Sequence, residues 1–321
     1  MREIENTVDS IAGTHAASVA NWLGRQRALV SAWAGREDLG AVVAAGDADA
    51  LQRLVLEWQD DTDDGVHASP YQSIFVVDAD SGGLLARAPF LDPRDEGYDF
   101  AQRDYYAGAV RLATQPGMSP AYRSRVYFSL SDDLYKFAIS AAIWHQGSIV
   151  GVVAATATTS PDLGGLLPLA EDGDSAFVLL AVRDETVVQG DSAGRPAGAG
   201  NLLTLVHPLL EPGGEPFWLS ASRESGFLET RCHRNYIDPA AALIPAYSGR
   251  WTACRAPVEA AGAGAELFVI YQQRAQGIHV PEPRAQGVVA GAAVGGPTPG
   301  GQLRAEPPGP PIVVRQISHR V

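Results

Sequence analysis

The chain has 321 residues, 46% of them hydrophobic and 19% charged, enough for about two domains of ~150 residues each. Its formal net charge of −13 repels phosphate backbones, and no basic stripe offsets it, so no nucleic-acid partner is expected. Seven scattered histidines and two cysteines form no cluster with metal-ligand spacing, so neither a metal nor a cofactor is expected.

Residues 2–34 read as one long amphipathic helix. Ile4, Val8, Ile11, Val19, Trp22, Leu23, Val30 and Trp33 recur at three-, four- and seven-residue spacings. A second helical stretch follows at about 47–59, with Leu51, Leu54, Val55 and Trp58 on one face. The run Asp60-Asp61-Thr62-Asp63-Asp64-Gly65 lacks the terminal glutamate of a calcium loop and reads as a solvated turn. The N-terminal MREIENTVDS has neither the apolar core nor the cleavage site of a signal peptide. No run of ~18 apolar residues occurs, so a soluble chain is expected.

Strand patterns come next. Ser73–Asp78 ends at the turn signal Asp80-Ser81-Gly82-Gly83, and Leu84–Ala88 returns. The segment Tyr98-Asp99-Phe100-Ala101-Gln102-Arg103-Asp104-Tyr105-Tyr106 opens a helix to about Leu112, which places Arg103 and Tyr106 one turn apart. A guanidinium framed by aromatic rings offers a carboxylate a bidentate, water-poor partner. Three strands then arrive close together: Arg125–Ser129, Tyr135–Trp144 and Ile149–Thr158. They are joined at Ser131-Asp132-Asp133 and His145-Gln146-Gly147, so an antiparallel meander is expected. Tyr122, Arg123 and Arg125 precede the third strand, and Tyr127 lies within it, where core and pocket positions both remain open. Lys136 reads as solvent-facing.

Strand–strand–helix–strand–strand–strand is the order of a PAS-like sheet of five antiparallel strands. A weaker copy follows after Ser160–Gly165. Ala176–Val182 and Thr186–Gln189 form a pair, and Trp251–Pro257 and Glu266–Gln273 close it. The expected fold is therefore α+β: a helical lead-in over 1–65, PAS-like units over 66–165 and 166–275, and an unstructured tail over 276–321. Residues 275–321 hold eight Pro and eight Gly, beyond the ~25–30% that marks low complexity. Cys232 and Cys254 remain open between a disulfide and two buried thiols. Enzymatic readings fail on motif grounds. There is no GK[ST] after the glycine-rich 194–200 segment, and no partner for His145 or His207.

A long helix feeding two PAS-like units resembles the double Cache sensor domain of bacterial receptors, including those attached to serine/threonine kinases or cyclases. The resemblance is sharpest at Tyr98–Tyr106, at Lys136–Ile143 (KFAISAAI) and at Gly147–Ala155 (GSIVGVVAA). It continues through Asn235–Pro239, Gly249–Val258 and Leu267–Arg274. It implies an extracytoplasmic sensor whose membrane-distal unit binds a small ligand, with membrane helices and an output module that are not expected within these residues.

In the amino-acid-binding branch of that family a Tyr, an Arg, a Trp and a Tyr grip the ligand carboxylate. Tyr98, Arg103, Tyr105 and Tyr106 match by spacing, with Tyr105 in place of the Trp. An aspartate that holds the ligand's amino group corresponds to Thr156 in the GVVAAT register. A neutral hydroxyl does not pair with an ammonium. The expected ligand is a small organic carboxylate or other anion without a free amine. Tyr122, Arg123 and Tyr127 complete the candidate lining. The alternative is a ligand-free interaction module that dimerises through the N-terminal helix.

Overall fold

The computed structural model describes residues 2–62, 71–89, 99–115, 121–128, 135–158, 176–183, 202–206, 218–219, 231–238, 248–258 and 267–274. Helix α1 spans Arg2–Ala34, as its periodicity predicts. Val8, Ala12, Ala16, Val19, Leu23 and Val30 form its buried stripe, spaced by three, four or seven residues so that they stay on one face. Among the described residues no helix is long and apolar enough to cross a membrane.

The expected second helix is present, runs on to Thr62 and is preceded by another. Helix α2 is Glu37–Ala45 and α3 is Ala48–Thr62. Gly46 ends α2 in the left-handed region, at φ 67°, where a residue without Cβ is favoured. The Asp47 carboxylate then accepts from the amide of Ala50, 3.0 Å away, and caps α3. The α2 helix lies close over the β5–β6 hairpin described below, since a Cβ on Gly40 would come within 2.4 Å of the Trp144 carbonyl oxygen. Helix α3 is fastened to the end of α1 by aromatic packing. Trp58 stacks on Trp33 at 5.1 Å with planes 10° apart, and Tyr71 meets Trp33 edge-on at 5.7 Å. Tyr71 also donates to Gln26 Oε1 at 2.5 Å, and burial pushes its phenol pKa well up.

The first sheet contains β1 (Ser73–Asp78), β2 (Leu84–Ala88), β3 (Ala121–Arg123), β4 (Tyr127–Phe128), β5 (Tyr135–His145) and β6 (Ser148–Thr158). Its order is β2-β1-β6-β5-β3, with β4 also paired to β5 and all pairings antiparallel. The long β5–β6 hairpin closes through Gln146 and Gly147, both at positive φ. The expected five strands are six, because β3 is an additional short strand and the described part of the expected 125–129 strand is only β4. The Ser131-Asp132-Asp133 connection lies outside the described residues.

The second sheet has the order β10-β11-β12-β7-β8-β9. Its strands are β7 (Ala176–Arg183), β8 (Leu202–Val206), β9 (Trp218–Leu219), β10 (Cys232–Tyr236), β11 (Trp251–Pro257) and β12 (Leu267–Arg274). Strands β7, β11 and β12 match the sequence reading. Strands β8, β9 and β10 lie between Gln189 and Trp251, where the sequence reading places no strand. Cys232 and Cys254 face each other in the β10–β11 register and form a disulfide, which resolves the open alternative. The expected Thr186–Gln189 strand, the Ser160–Gly165 hinge and the 275–321 tail lie outside the described residues.

One core runs from α1 through both sheets. Val8, Val19, Leu23 and Trp58 share it with Ile74, Val76, Ile139, Ile143 and Val153 of the first sheet and with Val178, Leu180, Val269 and Tyr271 of the second. Trp58→Ala removes the stacked partner of Trp33 and leaves a large void. It is expected to lower stability by about 3–5 kcal/mol, read as a fall in the denaturant midpoint at unchanged slope. A loss below 1 kcal/mol contradicts the packing described for α3.

Candidate ligand-binding face

Because side chains alternate along a strand, the first sheet has two unlike faces. Ile74, Val76, Ala121, Ile139, Ala141, Val153 and Ala155 point towards α1–α3. Phe75, Val77, Tyr122, Ala138, Val152 and Ala154 point the other way, onto helix α4 (Asp104–Ala113). Helix α4 covers this second face with Tyr105, Tyr106, Ala109 and Leu112. It is also pinned by polar contacts. Ser140 Oγ donates to the Tyr105 carbonyl at 2.7 Å, and Tyr106 Oη donates to the Ala79 carbonyl at 3.1 Å. Gly108 lets β3 approach, since a Cβ there would lie 2.1 Å from the Tyr122 ring.

The start of α4 is fixed by Asp104. Its carboxylate accepts from the Arg125 amide at 2.7 Å, from Arg125 Nε at 3.3 Å and from Tyr122 Oη at 3.1 Å. An acid in the first turn also suits the helix dipole. Arg103 is the N-cap residue, in extended backbone at φ −79°, ψ 144°. This corrects the sequence reading, which placed Arg103 inside the helix, one turn before Tyr106. Its side chain is half-buried, and its direction is not set by the helical period. Its carbonyl accepts from the amides of Tyr106 and Ala107 at 3.1 and 3.0 Å.

The remaining candidates divide between the faces. Tyr105 and Tyr106 are both buried on the α4 side; adjacency does not force one of them into a separate core. Tyr105 meets Phe75 edge-on at 5.5 Å and Tyr127 at 6.0 Å. Tyr122 is buried there too. Thr156, in register with Ser73 and Ala138, belongs to the same face, two residues beyond Ala154. Its hydroxyl lies 2.7 Å from Ser73 Oγ and 3.3 Å from the Ser73 carbonyl. Arg123 is placed on the opposite face, in register with Ile139 and alternating with Tyr122. It is buried near Arg27 of α1, which donates to the Ala121 carbonyl at 2.9 Å. Burial lowers the Arg123 pKa, and the charge of Arg27 acts in the same direction. Tyr98 lies outside the described residues.

Lys136 is not solvent-facing. It is 2% exposed, because β5 is flanked there by Tyr127 of β4 and by β6. By alternation it shares the α4 face with Ala138 and Ser140. The signal was present in KFAISAAI. Phe137, Ile139, Ala141 and Ile143 carry the bulk for the helical core, whereas Lys136, Ala138, Ser140 and Ala142 leave room and polarity on the other side. Together Ser73, Thr156, Lys136 and Tyr127 give one end of this face a polar character that its Val77–Val152 end lacks.

Asp9 lies with Cys232 and Cys254 in a group that resembles a metal site, but both sulfurs are committed to the disulfide, so no thiolate is available there.

No family model and no curated protein matches the sequence. Solved structures do match. The ligand-binding domain of the Pseudomonas fluorescens chemoreceptor CtaA in complex with L-serine aligns at TM-score 0.57 and 15% identity, over 85% of this chain and 99% of that one. Its complex with L-alanine aligns at 0.55 and 14%, over 84% and 96%. The ligand-binding domain of the Pseudomonas aeruginosa PAO1 amino-acid chemoreceptor PctB with L-Arg aligns at 0.55 and 14%, over 85% and 96%. The chain has the double Cache fold. A double Cache architecture accounts for the two antiparallel sheets strung along one N-terminal helix.

Within this double Cache chain, Tyr122 joins α4 to β3. Burial first, then the charge and hydrogen bond of Asp104, raise its phenol pKa above the usual 10. The folded state therefore holds this proton more tightly than the unfolded state. The stabilisation is fully present below the unfolded value and is lost as pH rises above it. Tyr122→Phe is expected to cost about 1–2 kcal/mol at neutral pH, with a deficit that shrinks above pH 10. Paired denaturation curves at pH 7 and above pH 10 measure this, and a deficit that does not change with pH contradicts the assignment.

Proposed function

We propose that this chain is an extracytoplasmic sensor module that binds a small organic carboxylate lacking a free amine, on the α4 face of the first sheet. In this reading residues 66–165 form the membrane-distal ligand-binding unit, residues 166–275 the membrane-proximal one, and 276–321 an unstructured tail. Arg103 supplies the charge for the carboxylate. Tyr98, Tyr105 and Tyr106 supply the aromatic walls, and Tyr122 and Tyr127 the neighbouring positions. Arg123 acts from behind the sheet rather than in the pocket. The output module, a kinase or cyclase, belongs to a longer protein.

The observation that carries the ligand class is the Ser73–Thr156 pair. Its two hydroxyls satisfy each other and the Ser73 carbonyl, and they offer no carboxylate for an ammonium. Lys136, buried on the same face, supplies no carboxylate either. An L-amino acid such as those in the CtaA and PctB complexes brings an ammonium that finds no counter-charge in this set, and desolvating it unpaired is costly. The Cys232–Cys254 disulfide supports an oxidising compartment.

Thermal denaturation in the presence of matched pairs tests the reading: lactate against L-alanine, and glycerate against L-serine. Hydroxy acids are expected to raise Tm, by an amount equivalent to about 2.7 kcal/mol at a hundredfold excess over Kd, and Arg103→Ala abolishes the shift. A shift from the amino acids alone, or from none of the four, rejects the proposal.

A further inference from the structure

The contacts around Cys232 form a unit separate from the ligand face. Strand β10 is the edge of the second sheet, and its register with β11 is broken between His233 and Tyr236. Pairing at Cys232, His233 and Tyr236 and the bond from the Arg255 amide to the Arg231 carbonyl, at 2.9 Å, hold it to β11. Beyond the sheet it reaches α1. Arg231 Nε donates to Asp9 Oδ1. Arg234 donates from Nε to Glu5 Oε1 and from Nη2 to Glu5 Oε2, the latter at 2.6 Å. Glu5 and Asp9 are four residues apart, so both stand on one face of α1. The Cys254 sulfur lies 3.8 Å from the Glu5 carbonyl oxygen. As a disulfide sulfur it has no proton to donate, so this is a packing contact.

The order of strength among these contacts matters. The arginine side chains are 63% and 48% exposed and their acid partners 30% and 24%. Ion pairs this wet contribute little alone and act only when both partners are already in place. The disulfide is the one covalent tie that places them. It joins β10 to β11 at the register pair Cys232↔Cys254, and β11 is in turn laddered to β12 along its whole length. Cys232 is only partly buried, whereas Cys254 is fully buried. A thiolate approaching from solvent therefore reaches the Cys232 sulfur first, with Cys254 as the leaving thiolate.

We propose that the Cys232–Cys254 disulfide is a redox-controlled clasp that, beside the apolar packing of Val8 and Ala12, fastens the N-terminal turns of α1 to the second sheet through Arg231 and Arg234. An external dithiol opens it. The disulfide takes up two electrons and two protons to become two thiols, and the dithiol becomes its own cyclic disulfide. Strand β10 then leaves β11, the two arginines lose their fixed positions, and Glu5 and Asp9 are released. The opening is local because the Trp33–Trp58–Tyr71 cluster holds the other end of α1.

Amide hydrogen exchange on the full chain, with and without dithiothreitol, tests the clasp. Reduction is expected to remove protection from residues 232–236 and to lower it over residues 6–12, while residues 22–34 and the β5–β6 hairpin keep theirs. The double substitution Cys232→Ser/Cys254→Ser is expected to show the reduced pattern without reductant and no further response to it. With the disulfide intact, Arg234→Ala loosens residues 6–12 and leaves 232–236 protected. Unchanged exchange at residues 6–12 on reduction overturns the proposal, as does loss of protection throughout the chain. The wild-type arm decides the matter even if the double variant does not fold.

Discussion

Along the 33 residues of α1, a single apolar stripe satisfies two sheets at once. Val8, Ala12 and Ala16 share a core with Val178, Val269 and Tyr271, and Val19, Leu23 and Val30 share it with Ile74, Ile139 and Val153. Neither sheet has another cover of comparable length on that side among the described residues. The helix therefore works as a common wall. A helix this long is not sustained by intrinsic propensity, and Gly13 and Gly24 work against it. Its regularity comes from tertiary packing that repeats every three or four residues.

With the core committed to one side, the other face of the first sheet is free to be different. There the side chains are a mixture of aromatic rings, small residues and a few polar groups, closed over by the short helix α4. Its position is fixed by individual hydrogen bonds, at Asp104, the Tyr105 carbonyl and Tyr106, in addition to the apolar packing of Tyr105, Tyr106, Ala109 and Leu112.

Much of this was legible in the sequence. The limits of α1 and of β1, β2 and β11 follow from periodicity and turn residues, because burial on one or both faces leaves a pattern that local chemistry alone punctuates. What was not legible depended on partners distant in sequence. Strand β3 has three residues, too few for a period, and exists because β5 offers an edge. Strand β10 (CHRNY) has no apolar alternation, and it is placed by a disulfide and by α1 more than 220 residues earlier. Lys136 looked exposed because lysine usually is. Its burial follows from strand pairing on both sides, which composition does not reveal. Arg123 was grouped with Tyr122 by proximity in sequence, although neighbours on a strand face opposite ways.

The bond from Arg27 to the Ala121 carbonyl has a mechanical consequence. Ala121 and Tyr122 are consecutive residues of one short strand. The first is held by α1, and the second, through its hydroxyl, holds the first turn of α4. The two helices on opposite sides of the sheet are thus joined by a two-residue crosspiece, like the ends of a lever through a slot. Displacement of α4 at Asp104 has a direct mechanical route to the middle of α1 that bypasses the hydrophobic core.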